Sequence, residues 1–144
     1  MSTVEQFLDL NSRKIWSLKP ENRVIDSLFL MAEKNISCIL IMNQEHLAGI
    51  FSERDYARKV VIKGKNSNET LLKEVMTDNL ITISPKTGLD ECMQLMTDHR
   101  IRHLPIVDNN KVVGLISIGD VVREMLVQQK IQIDELKIKI ERLK

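Results

Sequence analysis

Gly49-Ile50-Phe51-Ser52-Glu53-Arg54-Asp55 is repeated 65 residues later as Gly114-Leu115-Ile116-Ser117-Ile118-Gly119-Asp120. Aligned at this offset without a gap, residues 17–61 and 82–126 share nine identities, whereas chance would give roughly three. The chain therefore contains two copies of one supersecondary unit, and each copy is too small to bury its own apolar face well. We expect the copies to pack on each other and a ligand to bind in the cleft between them.

The second copy predicts the element order β-α-β-β-α. A β-rich run at 80–83 precedes a helix for which Thr87 is the candidate N-cap, with Asp90 three residues further on. Two apolar runs then flank Asp108-Asn109-Asn110-Lys111, which is typical of a hairpin turn. A further helix begins at about Ile118.

The first copy predicts the same order. Its first strand covers residues 15–18, and Asn22 is the candidate N-cap of the helix that follows. Paired strands are expected at 38–42 and 47–51, and a helix from Ser52 to about Lys63. The polar segment 64–69 reads as the linker between the copies.

Two helices are predicted outside the repeat. Val4, Phe7 and Leu8 indicate a short amphipathic helix at the N-terminus, and residues 121–144, which contain no Gly or Pro, indicate one long helix. We therefore divide the chain into residues 1–66, with the N-terminal helix and the first copy, residues 67–126, with the second copy, and a helical extension at 127–144.

The C-terminal helix carries an apolar stripe at heptad spacing, with Gln129 at one core position. Its members are Leu126, Ile133, Leu136, Ile140 and Leu143. The stripe could lie on the helix's own domain, or it could contact a partner because its last turns project beyond the repeat. We expect a homodimer with this helix at or near the contact between subunits.

Composition narrows the class of protein. The 21 basic and 20 acidic residues nearly balance, which disfavours nucleic-acid binding as the function. No signal peptide or membrane-spanning run is recognisable. Cys38 and Cys92 occupy non-equivalent positions of the repeat and are read as small buried hydrophobes in a reducing, cytoplasmic setting. No metal-ligand cluster, Walker-type loop or nucleophile–base set supports an enzyme.

The repeated Ser-x-x-Asp motif has two readings. Ser52 with Asp55, and Ser117 with Asp120, stand where a strand ends and a helix begins, so each pair can cap its helix. The same geometry favours ligand binding, because free N–H groups at a helix start attract phosphate and a carboxylate there can accept both hydroxyls of a ribose.

Arg102 and His103 precede the central strand of the second copy and are candidate phosphate ligands. A solvated basic loop is the alternative interpretation. The equivalent stretch of the first copy, Lys34-Asn35-Ile36-Ser37-Cys38, lacks this pair of charges, so the two sites are expected to differ.

Together these motifs resemble the cystathionine-β-synthase (CBS) domain, of which two in tandem form a CBS pair, or Bateman module. The residues that carry the resemblance are the Gly-h-h-Ser-x-x-Asp repeat, where h is apolar, Val75-Met76-Thr77 and Arg100-Ile101-Arg102-His103-Leu104-Pro105-Ile106-Val107. They look like those of bacterial stand-alone signal-transduction members, and the resemblance extends over about residues 4–126. It implies an α/β fold in which two β-α-β-β-α motifs pack with pseudo-two-fold symmetry.

The resemblance also implies regulatory binding of an adenine nucleotide, such as AMP, ADP, ATP or NAD(H), with no catalytic cofactor. Ribose hydroxyls would bind Asp55 and Asp120, and backbone of the central strands would read the adenine edge. The implied ligand-binding residues of the second copy are Thr82, Arg102, His103, Leu104, Pro105, Ser117, Ile118 and Asp120. Those of the first copy are Ser17, Cys38, Ile39, Ser52, Arg54 and Asp55. This sequence departs from the family pattern at Leu40, which stands where the second copy has Pro105, and at the bulky Trp16.

Two functions follow as alternatives. A CBS pair without an attached enzyme or channel would signal to an effector protein in trans, by a change of conformation or assembly on nucleotide binding. The rival is a structural or protein-interaction module with vestigial nucleotide clefts, which docks a partner through its terminal helix.

Overall fold

The computed structural model describes residues 2–11 and 14–144. They form two compact units, one made of residues 14–81 and the other of residues 82–144 together with the N-terminal segment. Both units are mixed α/β, and each contains one copy of the repeat, which confirms the predicted fold class. Across the described residues, no helix is long and apolar enough to cross a membrane.

The unit at 14–81 contains a three-stranded sheet in the order β1-β2-β3. Its elements are β1 (Ser17–Leu18), α2 (Val24–Lys34), β2 (Cys38–Asn43), β3 (His46–Ser52), α3 (Glu53–Asp55) with a π-helical continuation at Tyr56–Val61, and α4 (Leu72–Val75). The apolar core of this unit consists of Val24, Met31, Ile39, Ile41, Phe51, Val60, Leu72 and Val75. The predicted helix from Ser52 to about Lys63 is thus α-helical only in its first turn.

The other unit contains a two-stranded sheet, β4-β5. Its elements are α1 (Val4–Leu10), α5 (Leu89–His99), β4 (His103–Asp108), β5 (Lys111–Ser117) and α6 (Ile118–Arg142). Both terminal helices were predicted and are confirmed. Cys92 and Met96 of α5, Leu104 and Ile106 of β4, and Val121 of α6 are among its buried side chains.

The two hairpins have the same irregularity at the same place. β2 pairs antiparallel with β3, β4 pairs antiparallel with β5, and the register shifts after Ile41 in one sheet and after Ile106 in the other. The turn of the second hairpin has positive φ at Asn109 (52°) and Asn110 (64°). Two such residues are the mark of a type I′ turn, and asparagine tolerates this conformation. The hairpin turn predicted at 108–111 is therefore confirmed.

A short helix leads into each copy and packs on the unit of the other copy. α1 precedes the first copy, yet Val4 N–H donates to the Thr87 carbonyl at 2.9 Å and Glu5 N–H to the Pro85 carbonyl at 2.8 Å. In the unit at 14–81, Leu72 N–H of α4 donates to Asn22 and Lys73 N–H to Pro20, at 2.8 and 3.0 Å. We grouped α1 with the first copy from sequence; its hydrogen bonds are with the second.

The helices α2 and α5 begin one residue later than predicted. Their N-caps are Arg23 and Gly88 rather than Asn22 and Thr87. Arg23 bridges Leu71, and Gly88 bridges Thr3, so these residues are held in extended backbone by the leading segments. The side chains of the predicted caps bond to the preceding turn instead of the helix. The Asn22 side chain accepts from Lys19 N–H at 2.8 Å, and Thr87 Oγ1 accepts from Ser84 N–H at 3.2 Å.

The strand predicted at 80–83 does not form. Only an isolated parallel bridge joins Ile83 to Ile106. In the first copy, Leu40 N–H donates to the Trp16 carbonyl at 3.2 Å and helps to hold β1 against β2. Pro105 occupies the equivalent position of the second copy and has no N–H, so this ladder bond cannot be made and the first strand shrinks to one bridge.

Candidate functional site

Both Ser-x-x-Asp motifs form reciprocal capping boxes. Asp55 N–H donates to Ser52 Oγ at 3.1 Å, and Ser52 N–H donates to Asp55 Oδ2 at 3.0 Å. Asp120 N–H donates to Ser117 Oγ at 3.1 Å, and Ser117 N–H donates to Asp120 Oδ2 at 2.9 Å. The capping interpretation is confirmed in each copy, and it occupies one oxygen of each carboxylate.

Sheet pairing brings other candidate residues to these helix starts. Cys38 lies opposite Ser52 across β2 and β3, and His103 lies opposite Ser117 across β4 and β5. Ser17 pairs with Leu40, two residues into β2. Within each unit, the beginning of the central strand, the end of the hairpin's second strand and the beginning of the following helix therefore lie at one end of the sheet.

Backbone bonds use most of the amides in the first turn of each helix. Glu53 N–H donates to the Ser37 carbonyl at 3.0 Å, and Ile118 N–H donates to the Arg102 carbonyl at 2.8 Å. Of the N–H groups from Ser117 to Asp120, the Gly119 amide is the one that these bonds and the capping box do not use. An anion at the start of α6 would therefore meet a single amide rather than a cradle of several.

The second oxygen of each carboxylate faces a cation from the following turn. Asp55 Oδ1 lies 3.3 Å from Lys59 Nζ and accepts from Thr77 Oγ1 at 3.1 Å. Asp120 Oδ1 accepts from Arg123 Nη2 at 2.6 Å. The Asp55 side chain is 16% exposed and that of Asp120 is 1% exposed, while the Arg123 side chain is 64% exposed.

This arrangement can exchange partners. A ribose diol would donate to Oδ1 of the carboxylate, which now faces Arg123 at Asp120 and faces Lys59 and Thr77 at Asp55. Because both carboxylates are largely buried, the cation can leave only when the ligand's hydroxyls replace it as hydrogen-bond donors. Sequence reasoning missed Lys59, Thr77 and Arg123. The signal for the two cations is their spacing, because Lys59 follows Asp55 by four residues and Arg123 follows Asp120 by three.

The cysteine thiols are poor nucleophiles and poor metal ligands. Burial, with a smaller contribution from the Asp55 charge, raises the pKa of the Cys38 thiol. Burial, followed by the Glu91 charge, raises the pKa of the Cys92 thiol to about 11. Both thiols thus stay protonated at neutral pH. Within the described ranges, no group of three His, Cys, Asp or Glu side chains could hold a metal ion.

The remaining candidate residues divide by exposure. Ser17, Thr82, Arg102 and Ile118 are exposed, Arg54 and His103 are half-buried, and Ile39, Leu104 and Pro105 are buried. The buried residues could contribute backbone atoms to a ligand, and the exposed ones could contribute side chains. Cys38, Ser52 and Asp55 have the same places in their unit as His103, Ser117 and Asp120 have in the other.

Trp16 gives the first copy a feature that the second lacks. The Nζ atoms of Lys14 and Lys34 lie 4.7 and 4.4 Å from the centre of its ring. Both distances are within the range of cation–π attraction. The first copy thus has its own positive charge, but it lies on an indole ring rather than at the positions of Arg102 and His103.

Comparison with known proteins agrees with this geometry. The CBS domain model matches residues 7–62 and 72–127. CBS domain-containing protein CBSX3, mitochondrial, of Arabidopsis thaliana is 37% identical over 121 residues, covering 81% of this chain and 59% of that protein. CBS domain-containing protein YhcV of Bacillus subtilis is 32% identical over 120 residues, covering 83% of each.

A solved structure gives the same result. A signal-transduction protein with CBS domains from Burkholderia ambifaria MC40-6 superposes with a TM-score of 0.85 at 44% identity, over 89% of this chain and 96% of that one. The chain spans 59% of the length of the Arabidopsis relative but nearly all of this bacterial structure. With both copies of the repeat matched by the family model, the chain belongs to the CBS-domain family as a tandem CBS pair.

Proposed function

We propose that this CBS pair is a regulatory module that binds an adenine nucleotide (AMP, ADP, ATP or NAD(H)), with Asp55 and Asp120 accepting ribose hydroxyls. The observation that carries this proposal is the identical carboxylate at the start of α3 and α6. In both copies one oxygen is held by the cap and the other faces a cation, Lys59 in the first copy and Arg123 in the second. Such a carboxylate is oriented before the ligand arrives, which lowers the entropy cost of binding.

A structural neighbour supports the choice of ligand class. The CBS domain pair of protein MJ0100 was solved in complex with 5′-methylthioadenosine and S-adenosyl-L-methionine, and it shares the fold with a TM-score of 0.77 at 23% identity. At this identity the likeness concerns the fold alone. It nevertheless makes adenosine-containing ligands the first class to test, S-adenosylmethionine included.

Phosphate recognition is assigned to the second copy. Arg102 is exposed, His103 is half-buried, and both lie at the start of β4 beside the first turn of α6. A guanidinium can bind a phosphate through two parallel hydrogen bonds, and the helix start adds positive potential. AMP is therefore expected to bind more tightly than adenosine, and added salt is expected to weaken AMP binding more than adenosine binding.

We further propose that the chain is a cytoplasmic homodimer that signals to an effector protein in trans. Both cysteines are unpaired and buried, which fits a reducing compartment. A protein whose conformation or assembly depends on a nucleotide must bind that nucleotide with different affinities in its two states, and an ion pair to the site carboxylate that is present in only one state would provide such a difference.

A thermal-shift panel of AMP, ADP, ATP, NAD, NADH, S-adenosylmethionine and adenosine tests the proposal. A ligand at 100 times its dissociation constant should add about 2.7 kcal/mol to the free energy of unfolding. Arg102→Ala should narrow the gap between AMP and adenosine, and Arg100→Ala, a neighbouring exposed arginine, is the matched control. No shift with any phosphorylated ligand would contradict the proposal.

The rival function is a protein-interaction module without a working nucleotide site. One observation favours it: the Asp120 side chain is 1% exposed and already paired with Arg123. If that ion pair is purely structural, Arg123→Ala should destabilise the protein slightly, and none of the ligands should raise the unfolding temperature of the variant. If Arg123 instead competes with the ribose for Asp120, the same substitution should strengthen nucleotide binding.

A further inference from the structure

The last four turns of α6 stand apart from the unit that the helix belongs to. Val121 is buried, and Glu124, Met125 and Gln128 are half-buried, so one side of the first three turns packs on the unit. From Gln129 to the C-terminus every side chain is exposed. An isolated helix of this length is only marginally stable in water, so a segment of this kind needs a partner to remain helical.

The exposed face carries a coiled-coil seam over three heptads. The seam consists of Val122, Leu126, Gln129, Ile133, Leu136, Ile140 and Leu143, which alternate in steps of four and three. Its six apolar members are 41–86% exposed. Isoleucine occupies the a positions and leucine the d positions of the last two heptads, which is the combination that favours two parallel strands. Three heptads are the shortest length at which such a pattern indicates a coiled coil.

We propose that this seam pairs with the same segment of a second copy as a parallel, in-register, two-stranded coiled coil; the pairing rests on the homodimer proposed above. Gln129 favours a second copy of the same helix as the partner and favours the parallel orientation. In a parallel pair, each Gln129 faces Gln129 of the other copy, and the two amides can hydrogen-bond to each other. In an antiparallel pair, d residues face a residues, so each Gln129 would be buried against Leu126, Ile133 or Ile140 without a partner.

The charges beside the seam point to the same direction. The e positions are all cations: Arg123, Lys130, Lys137 and Lys144. An antiparallel pair places e opposite e and would therefore join cations throughout. A parallel pair places g opposite the following e of the other helix, so its contacts are Met125 with Lys130, Gln132 with Lys137 and Lys139 with Lys144. Only the last repels, and it lies at the C-terminal end of α6.

A matched pair of double variants tests the seam in the full chain. Ile133→Lys with Ile140→Lys places two charges in the seam. Ile131→Lys with Ile138→Lys places the same charges on the opposite side of the helix, at residues of similar exposure. Sedimentation equilibrium at 1–100 μM protein should show a dimer for the wild type and the control, and association weaker by at least roughly 100-fold for the seam variant.

Each other outcome overturns the proposal in a distinguishable way. A monomeric wild type would exclude the homodimer as well as the coiled coil. A seam variant that dimerises like the wild type would leave the homodimer standing and exclude the seam. Equal loss in both variants would exclude a two-stranded contact. The thermal shift caused by AMP is recorded on the same samples. Its absence from the wild type would count against the proposed nucleotide binding but not against the coiled coil.

Cysteine substitution tests the direction of the two helices. Leu143→Cys should form a covalent dimer in a glutathione buffer, because parallel in-register pairing places this residue opposite itself. Ile138→Cys, on the opposite side of the helix from the seam, is the control and should form little covalent dimer. Cys38 and Cys92 are buried and do not interfere. Equal cross-linking at both positions, or none at residue 143 in a protein that is dimeric, would overturn the parallel arrangement.

Discussion

The two copies of the repeat agree at the helix start and differ at the first strand. Ser52 with Asp55, and Ser117 with Asp120, make the same capping bonds within 0.1 Å of each other. Upstream, Leu40 N–H donates to the Trp16 carbonyl, whereas Pro105 has no N–H to give. The helix start therefore has the same geometry in both copies, whereas the strand beside it differs.

The difference has a consequence for ligand binding. In the first copy, the Trp16 carbonyl is used within the sheet, and the indole ring is flanked by two lysines. In the second copy, Pro105 has no N–H to donate to the Ile81 carbonyl, and Arg102 and His103 lie at the start of β4. We therefore expect the second copy to be the tighter nucleotide site.

The largest expected effect comes from exchanging the residues that distinguish the copies. Leu40→Pro should remove the bond to Trp16 and detach β1, and it also replaces a fully buried leucine. The free energy of unfolding should fall by about 3–5 kcal/mol. Pro105→Leu should allow a longer first strand in the second copy and gain at most about 1 kcal/mol. Urea unfolding measures both.

Leu40→Ala is the control for the first of these changes, because it shortens the side chain and keeps the N–H. The excess loss in the proline variant over the alanine variant is then the contribution of the ladder bond. Equal losses in the two variants would contradict our account of why the second copy lacks a first strand.

A smaller effect should separate the two equivalent glycines. A Cβ on Gly49 would lie 2.7 Å from the Thr77 carbonyl oxygen, and one on Gly114 would lie 2.8 Å from Leu8 Cδ2. The Thr77 backbone is held by paired bonds with Ile50 and cannot retreat, whereas the Leu8 side chain can rotate. Gly49→Ala should cost about 1–3 kcal/mol, and Gly114→Ala less than about 1 kcal/mol. Thermal unfolding of the two variants would reveal an inverted order if this explanation were wrong.

The smallest effect should be alike in the two copies. Ser52→Ala and Ser117→Ala each remove one side-chain cap of the same geometry, and each should cost about 1 kcal/mol. A difference above about 0.5 kcal/mol in chemical denaturation would mean that the two helix starts are less equivalent than their hydrogen bonds suggest. Thr87→Ala, a residue that does not cap α5, serves as the comparison outside the two motifs.

Much of this fold could be predicted from side-chain chemistry along the sequence. The repeat, both hairpins, the capping boxes and the long α6 each depend on local patterns: an offset, a turn, a Ser-x-x-Asp motif and the lack of Gly or Pro. The features that were missed depend on backbone atoms of distant segments. The helices α1 and α4 donate backbone hydrogen bonds to the Thr87 and Asn22 carbonyls, and no side-chain pattern predicts such bonds.

The same reason explains the errors at particular residues. Asn22 and Thr87 have good capping side chains, but the bridges from Leu71 and Thr3 keep the backbone extended for one residue more. The run at 80–83 has the composition of a strand, yet its expected partner at 105 is a proline. For the candidate site, the aspartates were evident from the repeat, whereas Thr77 reaches Asp55 from 22 residues away.

The central claim is that the carboxylate at the helix start holds a ribose, and calorimetry with two ligands tests it most directly. AMP and 2′,3′-dideoxy-AMP are titrated into the wild type and Asp120→Ala. The account predicts that the substitution weakens AMP binding by about 1.5–3 kcal/mol, or roughly 10–150-fold, and leaves the dideoxy analogue unchanged. An equal loss for both ligands, or unchanged AMP affinity in a variant that only loses helix stability, would show that Asp120 is a cap and nothing more.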